Sequence, residues 1–267
     1  MKRFEPTVLI GLLIGGVAIV GAMLFEGINP RFLWQPTAAL IVLGGTLGAV
    51  TVRCGLSGLR SILGGTLRLF RKETTDDDEA TIARLAWLAR NAKRDGFRIF
   101  EQYAATSNDP LIERGLNLAA DYIEPNIVRA ALDSLLDYED QVGRRHAAIL
   151  ESAGGYAPTF GILGAVLGLI HVLRSLDNPG ALGVGIATAF VATIYGIGFA
   201  NLLFFPLASR LREQHESRML RREALADALV AVSAHESPAN ITRRFSNHPS
   251  FKSAGELHLK SAGNMSR

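Results

Sequence analysis

Charge is scarce in this chain, and it is missing from long stretches. The 267 residues include one cysteine, Cys54, two tryptophans and only 7% aromatic side chains. One cysteine excludes an internal disulfide and any cysteine-built zinc centre. With so few aromatics, a 48% hydrophobic content rests on Ala, Leu, Ile and Val. Mean hydropathy is +0.21, a combination foreign to ordinary soluble enzymes. A net charge of +3 is too small to point to nucleic acid. The sequence lacks a phosphate-binding glycine loop, an HExxH pair and a nucleophile elbow. Its six histidines are scattered, and no carboxylate pair or Ser-His-Asp set stands out. An enzyme is not expected, nor a cofactor, nor a bound metal.

What the sequence does contain is apolar runs. Thr7 to Phe25 gives 19 residues without Asp, Glu, Lys or Arg, Phe32 to Val52 gives 21, Ser152 to Leu173 gives 22 and Asn178 to Ser209 gives 32. A hydrocarbon core of about 30 Å takes roughly 20 helical residues, so each run can cross it. Lys2 and Arg3 precede the first run as in a signal peptide. That run is longer than a usual h-region, however, and Ala22-Met23-Leu24 is a poor cleavage site, so a retained anchor is expected. The expected fold is all-α: a polytopic membrane protein with four transmembrane helices and a helical cytoplasmic domain. It would comprise a hairpin over 1–52 (spans about 7–25 and 33–52), a cytoplasmic domain over 53–151 and a second hairpin over 152–208 (spans about 152–173 and 182–208). A C-terminal helix and segment over 209–250 and a disordered tail over 251–267 would follow.

Basic residues set the orientation. Arg31 and Arg174 are alone at the two hairpin tips, against fourteen Lys and Arg near the other ends of the runs. Both termini and the large loop are therefore expected in the cytoplasm. Cys54 would then be a small apolar filler in a reducing compartment.

Within the cytoplasmic part, Leu56, Leu59, Ile62, Leu63, Leu67 and Phe70 fall on one helical stripe, suited to a helix on the membrane face. The acids of Thr75-Asp76-Asp77-Asp78-Glu79 suit a helix start, and Asp109-Pro110 and Glu124-Pro125 suggest two more. The helix beginning at Pro125 meets nothing that breaks it before the third span, and the fourth span runs into a charged helix ending near His235. No strand pattern or internal repeat is visible.

The spans themselves carry small residues at three- and four-residue intervals: Gly44 and Gly48, then Gly161, Gly164 and Gly168, then Ala189, Ala192, Thr193, Gly196 and Ala200. Such spacing lets helices approach closely in lipid, either within the subunit or between copies. No acid or base lies in mid-span, where an ion-coupled transporter generally keeps one. Hydroxyls are available instead, at Thr46, Thr159, Thr188, Thr193 and Tyr195. His171, near the outer end of the third span, reads as an interfacial residue.

Two segments resemble a known family. Gly154-Gly155-Tyr156-Ala157-Pro158-Thr159-Phe160-Gly161-Ile162-Leu163-Gly164-Ala165-Val166-Leu167-Gly168-Leu169-Ile170 is similar to the third span of the flagellar motor stator proteins MotA and PomA. Gly183 to Gly196, continuing through Ala200-Asn201-Leu202-Leu203-Phe204-Phe205-Pro206-Leu207-Ala208, is similar to the fourth. The layout of two hairpins, a loop of about a hundred residues and a basic tail is also shared.

The resemblance implies a stator subunit of the flagellar motor, a multi-pass protein of the bacterial inner membrane acting in flagellar rotation and chemotaxis. Five such subunits would surround two copies of a MotB-like partner, a single-span, peptidoglycan-binding protein whose helix supplies the missing aspartate. Ion flow would drive the rotor protein FliG. By position, the resemblance places Thr193, Ala165 and Thr159 along the ion pathway and makes Pro158 and Pro206 hinge residues. It assigns rotor contact to Lys93, Arg94 and Glu101. Sodium-type members usually carry threonine where this chain has Ala165, so protons are the expected ion. Lys93 departs from the arginine common at its position. Two alternatives remain: an energiser of outer-membrane transport like TolQ or ExbB, which lack the N-terminal hairpin, and a non-conducting membrane scaffold.

Overall fold

In hydrocarbon, a run without polar side chains can satisfy its backbone only as a helix, and the uncharged runs are helical. The computed structural model describes residues 7–68, 76–174 and 179–246, and α1 occupies Thr7–Phe25. A turn through Gly27 leads to a short 3-10 turn, Pro30–Leu33, where Asn29 accepts from the Arg31 amide at 3.0 Å. Then come α2 (Pro36–Ala39), a π-turn (Leu40–Gly44) and α3 (Gly45–Arg68). Inside α3, Gly55 breaks the helix with φ 69° and ψ 172°, a conformation open almost only to glycine.

The remaining elements are α4 (Asp76–Asp95), α5 (Arg98–Thr106), α6 (Pro110–Ala120), α7 (Pro125–Arg174), α8 (Pro179–Gly198), a second π-turn (Phe199–Phe204), α9 (Phe205–Ser233) and α10 (Pro238–Ser246). No strand occurs among the described residues. Prolines open α6, α7, α8 and α10, since the missing amide is unneeded in a first turn. Three helical stretches, Pro36–Leu56, Pro125–Arg174 and Leu182–Ser233, are long and apolar enough to cross a membrane, and Leu9–Phe25 is a shorter apolar helix. Part of the stripe expected over Leu56–Phe70, Thr75 of the expected helix start, and the tail over 251–267 lie outside the described residues.

The chain forms two compact units, residues 1–72 with 143–213 and residues 73–142 with 214–267. The first, here the apolar unit, has small buried clusters. One gathers Val50, Cys54, Ile149, Leu150, Ala153, Leu207 and Ala208, and another Ala38, Val42, Val191 and Ala192. Arg53 donates to the Ala148 carbonyl at 3.2 Å, tying α3 to α7. The Tyr195 hydroxyl donates to the Leu33 carbonyl, tying α8 to the hairpin tip.

The second, charged unit has a conventional core. Ile82, Leu85 and Leu88 of α4 meet Phe100, Leu111, Leu116, Val128, Leu132 and Leu229 there. α10 completes it. The sequence turns polar after Pro238, yet Ile241 and Phe245 stand one turn apart and both are buried, while the Ser237 hydroxyl accepts from the Asn240 amide at 3.2 Å as a cap.

Candidate functional site

In the apolar unit α7 and α8 approach closely, and glycine makes it possible. A Cβ added to Gly168 would stand 2.8 Å from the Ala189 nitrogen and 2.9 Å from the Gly185 oxygen. On Gly161 it would stand 2.9 Å from the Ala192 oxygen, and on Gly196 2.7 Å from the Ala157 oxygen. Backbone therefore meets backbone over Gly161, Gly168, Gly185 and Gly196, a packing that lipid-embedded helices use because burial from water no longer drives them together. These glycines serve contacts within the subunit. Gly48, by contrast, has nothing within 4 Å.

The candidate pathway residues sit on this pair. Thr193 of α8 abuts Gly161, whose added Cβ would lie 3.4 Å from the Thr193 Cα. Ala165 is half-buried one turn further along α7, and Thr159 is exposed. The hydroxyl of Thr193 donates to the Ala189 carbonyl at 3.2 Å, that of Thr159 to the Tyr156 carbonyl at 2.7 Å and that of Thr188 to the Val184 carbonyl at 2.9 Å. With its proton committed to its own helix, each oxygen presents only lone pairs outward. Such an oxygen can accept from a hydrated proton or ligate a cation, but it cannot ionise.

Pro158 lies inside α7 and removes the amide that would have bonded the Gly154 carbonyl. It packs against α8, where a Cβ on Gly196 would be 3.1 Å from the Pro158 Cα. Pro206 is the second residue of α9, one residue past the π-turn at Phe199–Phe204. A proline ring clashes with the carbonyl four residues back, here that of Leu202, and a widened turn at that point relieves the clash.

Thr46 differs from the other span threonines. It is fully buried, and its hydroxyl has no hydrogen-bond partner. The carbonyl one turn back, at Val42, belongs to the first π-turn, where the ordinary helical register is lost. Apolar periodicity carried no sign of either π-turn.

In the charged unit, Lys93 and Arg94 fall in the last turn of α4, and Glu101 is exposed in the first turn of α5. The side chains of Lys93 and Arg94 lie outside the described residues. Gly96, between the helices, has φ 79°, which favours glycine over any residue with a Cβ. In the same unit, Arg222 of α9 joins Glu139 of α7, at 2.6 and 3.0 Å, to Asp109. Asp109 also caps α6, accepting from the Leu111 amide at 2.9 Å. Burial alone would lower the Arg222 pKa, but the bonds to Glu139 and Asp109 outweigh it and hold the guanidinium above its ordinary value. Arg129 bonds both Asp133 and Asp227, and His215 meets Asp140 at 3.0 Å. In the sequence Arg222 is only one of the basic residues near a span, because its partners are 83 and 113 residues away. Among the described residues no group of three His, Cys, Asp or Glu can hold a metal.

Known proteins resemble this arrangement along most of its length. The chain is 30% identical over 240 residues to motility protein A of Bacillus subtilis, covering 90% of this chain and 89% of that one. It is 28% identical over 243 residues to the chemotaxis protein PomA of Vibrio alginolyticus, covering 90% and 93%. Among solved structures, the flagellar MotAB stator complex from Bacillus subtilis superposes with a TM-score of 0.76 at 29% identity, over 89% of this chain and 93% of that one. The MotAB structure of C. jejuni has the same fold, with a TM-score of 0.79 at 22% identity over 91% and 95%. The model of the MotA/TolQ/ExbB proton channel family matches residues 103–224. With that span matched and a full-length relative at 30% identity, the chain belongs to the MotA/TolQ/ExbB proton channel family.

Proposed function

We propose that this chain is a stator subunit of the flagellar motor, conducting protons with a MotB-like partner and converting their flow into torque on the rotor. The observation that carries the reading is the α7/α8 pair. It holds the Thr193 oxygen in an apolar setting, and no Asp, Glu, Lys or Arg lies in the described parts of the four uncharged runs, whose one histidine, His171, stands in the last turn of α7. Lone pairs are present there without a titrating group, so the proton-carrying acid comes from a second protein.

The uncharged runs form four spans, with both termini and the charged unit in the cytoplasm. The arrangement proposed is five copies around two partner helices, each helix bearing one aspartate. A proton enters past Thr193 and Thr159 and neutralises that aspartate. Removing its charge lifts the large cost of moving an ionised group through apolar surroundings, and the ring turns against the partner. Each charge crossing supplies about 2.3 kcal/mol per 100 mV. Ala165 offers no oxygen, which suits a proton better than a sodium ion that must shed water. Pro158 and Pro206 give the helices points of bending. Lys93, Arg94 and Glu101 meet FliG, where exposed charges steer a contact that is made and broken at each step.

The test is proton uptake and swimming torque in cells producing the chain with its partner. Thr193→Ala at normal membrane levels is expected to abolish torque and uptake, and unchanged torque would remove Thr193 from the path. Rings of this subunit that conduct without the partner would overturn the whole reading. A TolQ-like energiser would leave motility intact on deletion.

A further inference from the structure

The described arginines at the Arg53 end of the spans divide into two kinds. Arg210 is bonded to Glu213 and Arg212 to Glu151, and Arg144 has a partner too. Among the described residues, Arg53 and Arg145 meet no carboxylate. Both side chains are exposed. Arg53 lies in the last turn of the apolar stretch Pro36–Leu56. Val52 and Leu56 flank it, 90% and 69% exposed, on surface that a span turns to lipid. Its guanidinium donates to the Ala148 carbonyl at 3.2 Å, which uses one of five N–H groups. Arg145 stands one turn before Ile149, which is buried in one cluster with Val50 and Cys54 of α3. Residues four apart share a helix face, so Arg145 belongs to the side of α7 that meets α3. Two positive charges without a carboxylate thus share this seam, where the apolar surface of the spans ends. An arginine beside hydrocarbon normally reaches away to water, but the bond to Ala148 keeps Arg53 at the seam.

We propose that Arg53 and Arg145 bind the headgroup of an anionic phospholipid, in the leaflet at that end of the spans. A guanidinium presents a planar fork of donors that matches two phosphate oxygens. Basic seams between membrane helices take anionic headgroups for that reason. Exposed Val52 and Leu56 supply the apolar surface along which the acyl chains lie. That surface selects a lipid over a free phosphate, which has nothing to place on it. Net charge selects an anionic lipid over a zwitterionic one, whose own cation repels the second arginine. Glu151, one turn past Ala148, is engaged by Arg212 and does not compete for Arg53. Lipid binding at this seam requires neither the partner's aspartate nor the rotor.

The experiment strips lipid from the complex of the full chain with its MotB-like partner in detergent. Dioleoylphosphatidylglycerol, dioleoylphosphatidylcholine or inorganic phosphate is then added, and native mass spectrometry reads both bound lipid and assembly state. The wild type is expected to prefer the glycerol lipid. Arg53→Gln and Arg145→Gln should each lower that preference about five-fold, the worth of one basic group at an anionic surface. Arg31→Gln, at the opposite end of the span, should leave it unchanged. Arg145 makes no bond to a carboxylate in this structure, so Arg145→Gln reads the lipid even where Arg53→Gln fails to fold. Equal retention of the two lipids by the wild type, or a preference that survives Arg145→Gln, would overturn the proposal. Inorganic phosphate that displaces the glycerol lipid at equal concentration would make this a free-anion site and overturn the lipid. Assemblies that fall apart in Arg145→Gln while the lipid preference persists would give the arginines to contacts between copies, and overturn it as well.

Discussion

The two units of this chain solve packing in opposite ways. In the apolar unit, glycine and alanine make the closest contacts, while large side chains face outward, as Leu13, Val17, Val52 and Phe190 do. In the charged unit, Leu85, Phe100, Leu132 and Leu229 are fully buried, and the polar periphery is joined by ion pairs. The difference follows from the solvent. Water expels leucine, so a domain in water stabilises itself by burying it. Lipid does not, so helices there gain from backbone proximity and dispersion, and leucine is left to the acyl chains.

This comparison breaks most visibly at Gly168. Gly168→Leu drives side-chain atoms into the Ala189 and Gly185 backbone, and backbone cannot yield. At least a ten-fold loss of monodisperse protein on size exclusion in detergent is expected, while Gly48→Leu, with open space around it, should be unaffected. Equal yields would mean that glycine proximity does not hold this pair.

In the charged unit the equivalent damage comes from removing bulk. Leu229, fully buried against Gly115, should cost about 3 kcal/mol as Leu229→Ala, read as a lower melting temperature. Arg222→Gln should cost less, about 2 kcal/mol. It strands Asp109 and Glu139, but their side chains are 31% and 29% exposed and keep some water. Because the Arg222 pKa is raised above the ordinary arginine value, its contribution is complete below that ordinary value and is lost only as pH rises through the raised one. That loss should therefore be constant between pH 6 and 9 in melting curves. A penalty that fades across that range would point to a titrating neighbour instead.

The smallest expected effect has the opposite sign. Thr46 buries a hydroxyl without a partner, so Thr46→Val should stabilise the protein by about 1 kcal/mol. Thr51 bonds the Leu47 carbonyl at 2.7 Å, and Thr51→Val should gain nothing. A destabilised Thr46→Val would show that the hydroxyl is used.

Much of this was legible along the chain because the signals are local. Uncharged runs mark helices α1, α7 and α8. Asp109-Pro110 and Glu124-Pro125 mark starts that the structure places at Pro110 and Pro125. Unbroken apolar spacing foretold that α7 continues from Pro125 to Arg174. The π-turns, the break at Gly55 and helix α10 were not legible. A widened turn alters hydrogen-bond register without altering composition, and the two apolar residues of α10, Ile241 and Phe245, are too few to show a period. The span motifs pointed to Thr193 and Ala165, but nothing in them shows that the Thr193 hydroxyl turns back onto Ala189.

Sequence by itself determined which stretches leave water and which stay in it, because hydropathy is a property of each residue and adds along the chain. It also determined that no Asp, Glu, Lys or Arg stands within the described parts of those stretches. Tertiary structure alone decided which glycines touch backbone and which stand open, which arginine joins α9 to α6 and α7, and which two arginines share the seam of α3 and α7. Those outcomes depend on distances between residues far apart in the chain, and a one-dimensional pattern does not encode them.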